Sequence, residues 1–78
     1  MKDGIKEIVG KTICGAVVAV NSETPRVQLF LTFTDGTYFE IYGDSYTGAG
    51  GVDRGDTKTA TAYAKSFGAE ITQTYPAP

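Results

Sequence analysis

The chain has 78 residues, a net charge of -2, 41% hydrophobic and 21% charged residues, a single cysteine and no histidine. A chain of this size makes one domain, and its balance excludes disordered, fibrous and collagen-like classes. Its longest apolar run, residues 13–20, falls well short of the about 20 residues a helix needs to cross a bilayer, so no membrane association is expected.

Residues 1–7 mix charges of both signs, which is not the layout of a secretory signal, and the expected location is cytoplasmic. The cations Lys2, Lys6, Lys11, Arg26, Arg54, Lys58 and Lys65 are scattered rather than grouped with aromatics, which argues against nucleic acid as a partner. Cys14, without a second cysteine, forms no internal disulfide and reads as a small buried hydrophobe. A chain this short with neither disulfide nor metal gains stability by burying surface against a second copy, so a homodimer is expected.

Asp3 is placed to cap a short helix from Gly4 to Val9, weakened by the glycine at each end. Thr12 to Val20 is β-branched and apolar at both parities, as in a central strand covered on both sides. The polar segment from Asn21 to Pro25 reverses the chain. Val27 to Phe33 and Thr37 to Tyr42 both alternate, with Asp35-Gly36 between them, and form a hairpin.

Register fixes the turn. A two-residue loop would set Leu31 against Glu40. A three-residue loop, Thr34-Asp35-Gly36, with Gly36 left-handed as a bulge, sets Leu31 against Phe39 and Leu29 against Ile41, and both faces then agree.

The segment from Gly43 to Asp56 is rich in glycine and aspartate and is read as a long connection with a short extended piece at Ser45 to Thr47. Asp56 or Thr57 caps a helix to about Phe67, with Ala60, Tyr63, Ala64 and Phe67 on one stripe and Gly68 as its left-handed terminator. Ala69 to Tyr75 is a last strand with Ile71 inward, and residues 76–78 read as a frayed tail. The fold class is therefore α+β: a small antiparallel or mixed four-stranded sheet, order 3-2-1-4 with the last strand parallel to the first, one helix on a face and a short N-terminal helix.

Without histidine, triads and zinc sites lose their usual members, and the chain reads as non-enzymatic, with no catalytic residue, metal or cofactor. Gly48 to Asp53 breaks the G-x-G-x-x-G pattern at its last position, and no P-loop lysine follows. Two functional readings remain. If Leu29, Leu31, Phe39 and Ile41 pack under the helix, then Phe30, Tyr38 and Tyr42 with Gln28, Thr32 and Glu40 occupy the opposite face. That face is an interface for self-association or another protein partner. The alternative is a small-ligand or cation-binding domain, or weak enzyme, with Asp44, Tyr46, Asp53 and Asp56 beside the helix N-terminus.

Overall fold

The computed structural model describes residues 4–22, 27–43 and 48–76. Strands β1 (Ile13–Val20), β2 (Val27–Phe33), β3 (Thr37–Tyr42), β4 (Gly48–Arg54) and β5 (Glu70–Tyr75) form one antiparallel sheet in the order β4-β3-β2-β1-β5. Gly4–Glu7 close only a single turn (α1), and Thr57–Ser66 form the helix proper (α2). The architecture is α+β, a five-stranded antiparallel sheet carrying one helix.

The hairpin has the expected register: Leu31 pairs with Phe39 and Leu29 with Ile41, and Gly36 turns with φ 81°. Asp35 stabilises the turn by accepting from the Thr37 backbone N–H and by pairing with Lys11. The ends of α2 are also as expected. Asp56 Oδ1 accepts from the Thr59 N–H while the Thr59 hydroxyl accepts from the Asp56 N–H, a reciprocal cap. At the other end Gly68 (φ 80°) donates to Lys65 O and Ala69 to Ala64 O, so the last carbonyls find partners.

Three expectations are corrected. Gly48–Arg54, read as part of a connection, is the edge strand β4. Its glycines carry little strand propensity, so its pairing with β3 is set by the sheet rather than by its own composition. That extra strand adds one reversal, so the last strand lies beside β1 as expected but antiparallel to it. The N-terminal helix from Gly4 to Val9 shrinks to one turn, because a few residues flanked by glycines cannot offset the cost of nucleation.

The third correction concerns the faces of the sheet. Cross-strand pairing puts Gly15, Val17 and Ala19 on the same side as Thr32, Phe30 and Gln28, and these on the same side as Tyr38, Glu40 and Tyr42. The core cluster joins Val17, Ala19, Phe30 and Tyr38 to Ala60 and Ala64 of α2, with Ala69 and Ile71. The helix therefore covers the aromatic face, not the aliphatic one. Alanines on a helix allow close approach but supply little volume, and a large ring on the sheet is needed to fill the space between the layers. Phe30 does so, fully buried and set edge-on against Tyr63, 6.1 Å between centroids.

The far face carries Ala16, Val18, Val20, Val27, Leu29, Leu31, Phe33, Phe39 and Ile41. α1 packs against β4, and Lys11 lies over the Phe33 ring at 5.7 Å. Phe33 and Phe39 are buried on this side, whereas Ala16, Val18, Leu29, Leu31 and Ile41 are half-buried and Val20 is exposed.

Truncating the filler of the inter-layer space leaves a cavity, so Phe30→Ala is expected to cost about 3–5 kcal/mol. Leu31→Ala, at a half-buried position, costs a fraction of that. Urea denaturation of the two variants measures both, and equal losses would contradict this assignment of the faces.

Candidate functional site

β2 and β3 bring Phe30, Tyr38, Glu40 and Tyr42 to one face, as their parity requires, but it is the face beneath α2. Phe30 and Tyr38 are core residues and Glu40 is only 8% exposed. Tyr42, 37% exposed, is the member that reaches the surface. These residues are thus brought together inside the chain's own packing rather than on an uncovered sheet.

Two further residues complete the group. Gln28 pairs across the ladder with Tyr42, and its Nε2 donates to Glu40 Oε2 at 2.7 Å. It is 1% exposed, and its Oε1 is buried with no hydrogen-bond partner among the described residues. An unmet buried acceptor costs about 1–3 kcal/mol. Tyr63, 41% exposed, projects from α2 against Phe30 and against Phe67, 5.1 Å between ring centroids. α2 packs on β5, β1 and β2, so the carboxylate on β3 lies beside the helix rather than under its centre. On the other side Glu40 pairs with Gly51.

Gln28 and Glu40 are the buried members of the group, and Tyr42 and Tyr63 its exposed ones. Electrostatics link its members. Burial first, then the Glu40 and Asp53 carboxylates and Tyr42, hold the Tyr63 phenol above its ordinary pKa. Burial, Asp53, Tyr63 and Glu40 do the same for Tyr38. The phenols therefore stay protonated near neutral pH. Among the described residues the one ion pair, Lys11 with Asp35, lies at the hairpin turn.

The aspartates of the glycine-rich segment do not converge among the described residues. Asp44 and Tyr46 lie outside them. Asp53 sits on β4 opposite Tyr38, and Asp56 is used as the cap of α2. No cluster of acidic, cysteine or histidine side chains able to hold a metal occurs among the described residues. Cys14, expected to be buried, is exposed beside the β1 bulge, with its Sγ 3.7 Å from Thr32 Oγ1. That expectation rested on a strand covered on both sides, and the bulge between Ile13 and Gly15 interrupts the strand at this residue. A groove of about 590 Å³ runs between α2 and β5, lined by Thr57, Lys58, Thr61, Lys65 and Thr74. No described helix is long and apolar enough to cross a membrane.

No protein-family model, curated protein or solved structure matches this chain.

Sequence reasoning places Phe30, Tyr38, Glu40 and Tyr42 on one face with Gln28, by parity, but does not foresee the Gln28–Glu40 hydrogen bond or the arrival of Tyr63. Tyr63 was assigned to the helix stripe, and only the choice of sheet face brings it to the group.

The role of Asp56 makes a pH prediction. Its hydrogen bonds, led by that from the Thr59 backbone, hold its carboxyl below the ordinary 3.8. A depressed folded-state pKa contributes stability that is present above the ordinary value and is lost as pH falls from there through the folded value. Asp56→Asn keeps a capping oxygen but cannot titrate. The Tm advantage of wild type over Asp56→Asn is therefore expected to shrink between neutral pH and about pH 3. Thermal melts across that range check it, and an unchanged difference would contradict it.

Proposed function

We propose that the chain is a non-enzymatic interaction module that self-associates through the far face of its sheet. One observation carries this reading: a contiguous aliphatic surface, Ala16, Val18, Val20, Leu29, Leu31 and Ile41, is left half-buried or exposed on the side that α2 does not cover. The same side of β1, β2 and β3 carries no charged residue, and its charged residues, Arg54 and Glu70, stand on the edge strands β4 and β5. A partner with its own charges there would have to strip them of water, whereas a second copy presents a surface as apolar as the first.

Size favours the same occupant. With β4 taken up by α1, four strands about 4.8 Å apart and some 20 Å long leave a face of roughly 400 Å². The N-terminal segment lies over the Phe33 end of it. Two such faces bury at most roughly 800 Å² in total, below the standard size of specific interfaces, where association is weak and concentration-dependent. Exposed Ile13 and Tyr75, whose strand positions pair with Phe33 and Ala16 on this side, would extend the contact. Sheet-on-sheet packing also screens the apolar surface that an isolated copy leaves in water.

Sedimentation equilibrium at several loading concentrations is the test. Wild type is expected to shift from monomer towards dimer as concentration rises, and Leu31→Glu to stay monomeric with an unchanged far-UV spectrum. A wild type that remains monomeric throughout, or a Leu31→Glu that dimerises equally, would overturn the reading. A smaller loss for Tyr42→Ala, on the opposite side of the sheet, is expected to confirm which face is used.

A further inference from the structure

The groove of about 590 Å³ between α2 and β5 opens at an edge of the sheet. Its walls are Thr57, Lys58, Thr61 and Lys65 on the helix and Thr74 and Pro76 on the strand side, and no residue of β1 lines it. β5 pairs with β1 on one side and with no described strand on the other. Residues 67–69 join the end of α2 to the start of β5. At the other end, a Cβ built on Gly15 would lie 2.6 Å from the Tyr75 carbonyl oxygen and 3.1 Å from the Thr57 methyl. The start of the helix therefore stands at the end of the strand, and the two run antiparallel along the groove.

An edge strand turns alternate backbone N–H and C=O groups outward, where they can accept another strand. β5 reads Glu-Ile-Thr-Gln-Thr-Tyr, with neither the lysine nor the internal proline that commonly guards such an edge. Its bulge, at Thr72, does not line the groove and leaves residues 73–75 in regular pairing with β1. The charge above this edge is of one sign. Lys58 and Lys65 are exposed, no acidic residue lines the groove, and the ion pair among the described residues is that of Lys11 with Asp35.

We infer that the groove and the β5 edge together take an extended acidic peptide of another protein, which adds a sixth strand beside β5 and turns carboxylates towards Lys58 and Lys65. Backbone pairing supplies the attachment and the alternate side chains supply the selectivity. Thr74 pairs with Val17 and so faces the helix side. The residue of the incoming strand opposite Thr74 must face that side too, against the Thr61 wall. Its same-side neighbours lie two positions away in each direction, about 6.7 Å each. Seven helix positions, about 10.5 Å, separate Lys58 from Lys65, so one acidic neighbour falls within reach of each flexible ammonium. The expected partner carries acidic, apolar and acidic residues at alternate positions.

The experiment is an amide-resolved NMR titration of the full chain with the peptide acetyl-Thr-Glu-Thr-Val-Thr-Glu-Thr-amide, which reads the same in both directions and so suits either strand orientation. Saturable movement of the Gln73, Thr74 and Tyr75 amide signals is expected, with slower hydrogen exchange along β5. A peptide with lysine in place of glutamate, and one N-methylated at alternate amides, are both expected to bind more weakly. Affinity is expected to fall about threefold to tenfold in each of Lys58→Glu and Lys65→Glu, the size of an exposed ion pair reversed. Both positions are exposed, so both variants are expected to fold.

No saturable movement, equal binding of the lysine or the N-methylated peptide, or unchanged affinity in both variants would overturn the inference. So would the same movement on adding glutarate at matched ionic strength, which would mark the lysines as sites for a bare anion. Repeating the titration on Leu31→Glu separates this edge from self-association through the far face: binding is expected to survive there, and its loss would overturn the inference.

Discussion

Small residues on α2 oblige the sheet to supply the volume between the two layers, and Phe30 supplies it. Ala60 and Ala64 let the helix backbone approach β1 and β2 closely, and both are fully buried. Fully burying a phenylalanine side chain is worth about 1.5–3 kcal/mol, and each well-placed ring pair adds about 0.5–1.5. Phe30 makes two such pairs, with Tyr38 and Tyr63. Once that ring is fixed inward, the two-residue period of the strands leaves no freedom: Gln28, Thr32, Glu40 and Tyr42 must share its side, and the aliphatic residues must take the other.

The make-up of both faces of the sheet descends from that constraint. Polar residues drawn to the helix side are tolerated where they find partners, as Gln28 and Glu40 do in each other. The partnership is incomplete, and it sits next to a glycine on β4 and beside the flank of α2. Meanwhile the leucines and valines that would have filled a conventional core are turned outward. Among the described residues the N-terminal segment meets β4 and the Phe33 end of this face. A small domain thus carries the aliphatic face proposed for self-association on one side and, on the helix side, a Gln28–Glu40 pair accompanied by exposed tyrosines.

Much of the fold was legible in the sequence because local rules governed it. The left-handed Gly36 and Gly68, the Asp56 cap and the hairpin register all follow from residue chemistry over a few positions. What sequence could not decide was which face the helix takes. Both parities of β2 are apolar enough to be buried, Leu29 and Leu31 on one side and Phe30 on the other, and the presence of Gln28, Thr32 and Glu40 weighed towards the wrong answer. Side-chain volume against the alanines of α2 outweighed that polarity. β4 was illegible for a different reason: Gly48, Gly50 and Gly51 obscure any alternation, and the strand exists because β3 offers an edge to pair with. The candidate site was half legible, since its strand residues share a parity while its helix residue depends on the face.

The most direct measurement is a set of proton–proton Overhauser contacts between assigned side chains of α2 and the sheet. Cross-peaks from the Tyr63 ring to Phe30, and from the Ala60 and Ala64 methyls to Val17, are predicted, with none from those methyls to Leu29 or Leu31. Contacts between the helix alanines and Leu29 or Leu31 would reverse the sheet and contradict the account.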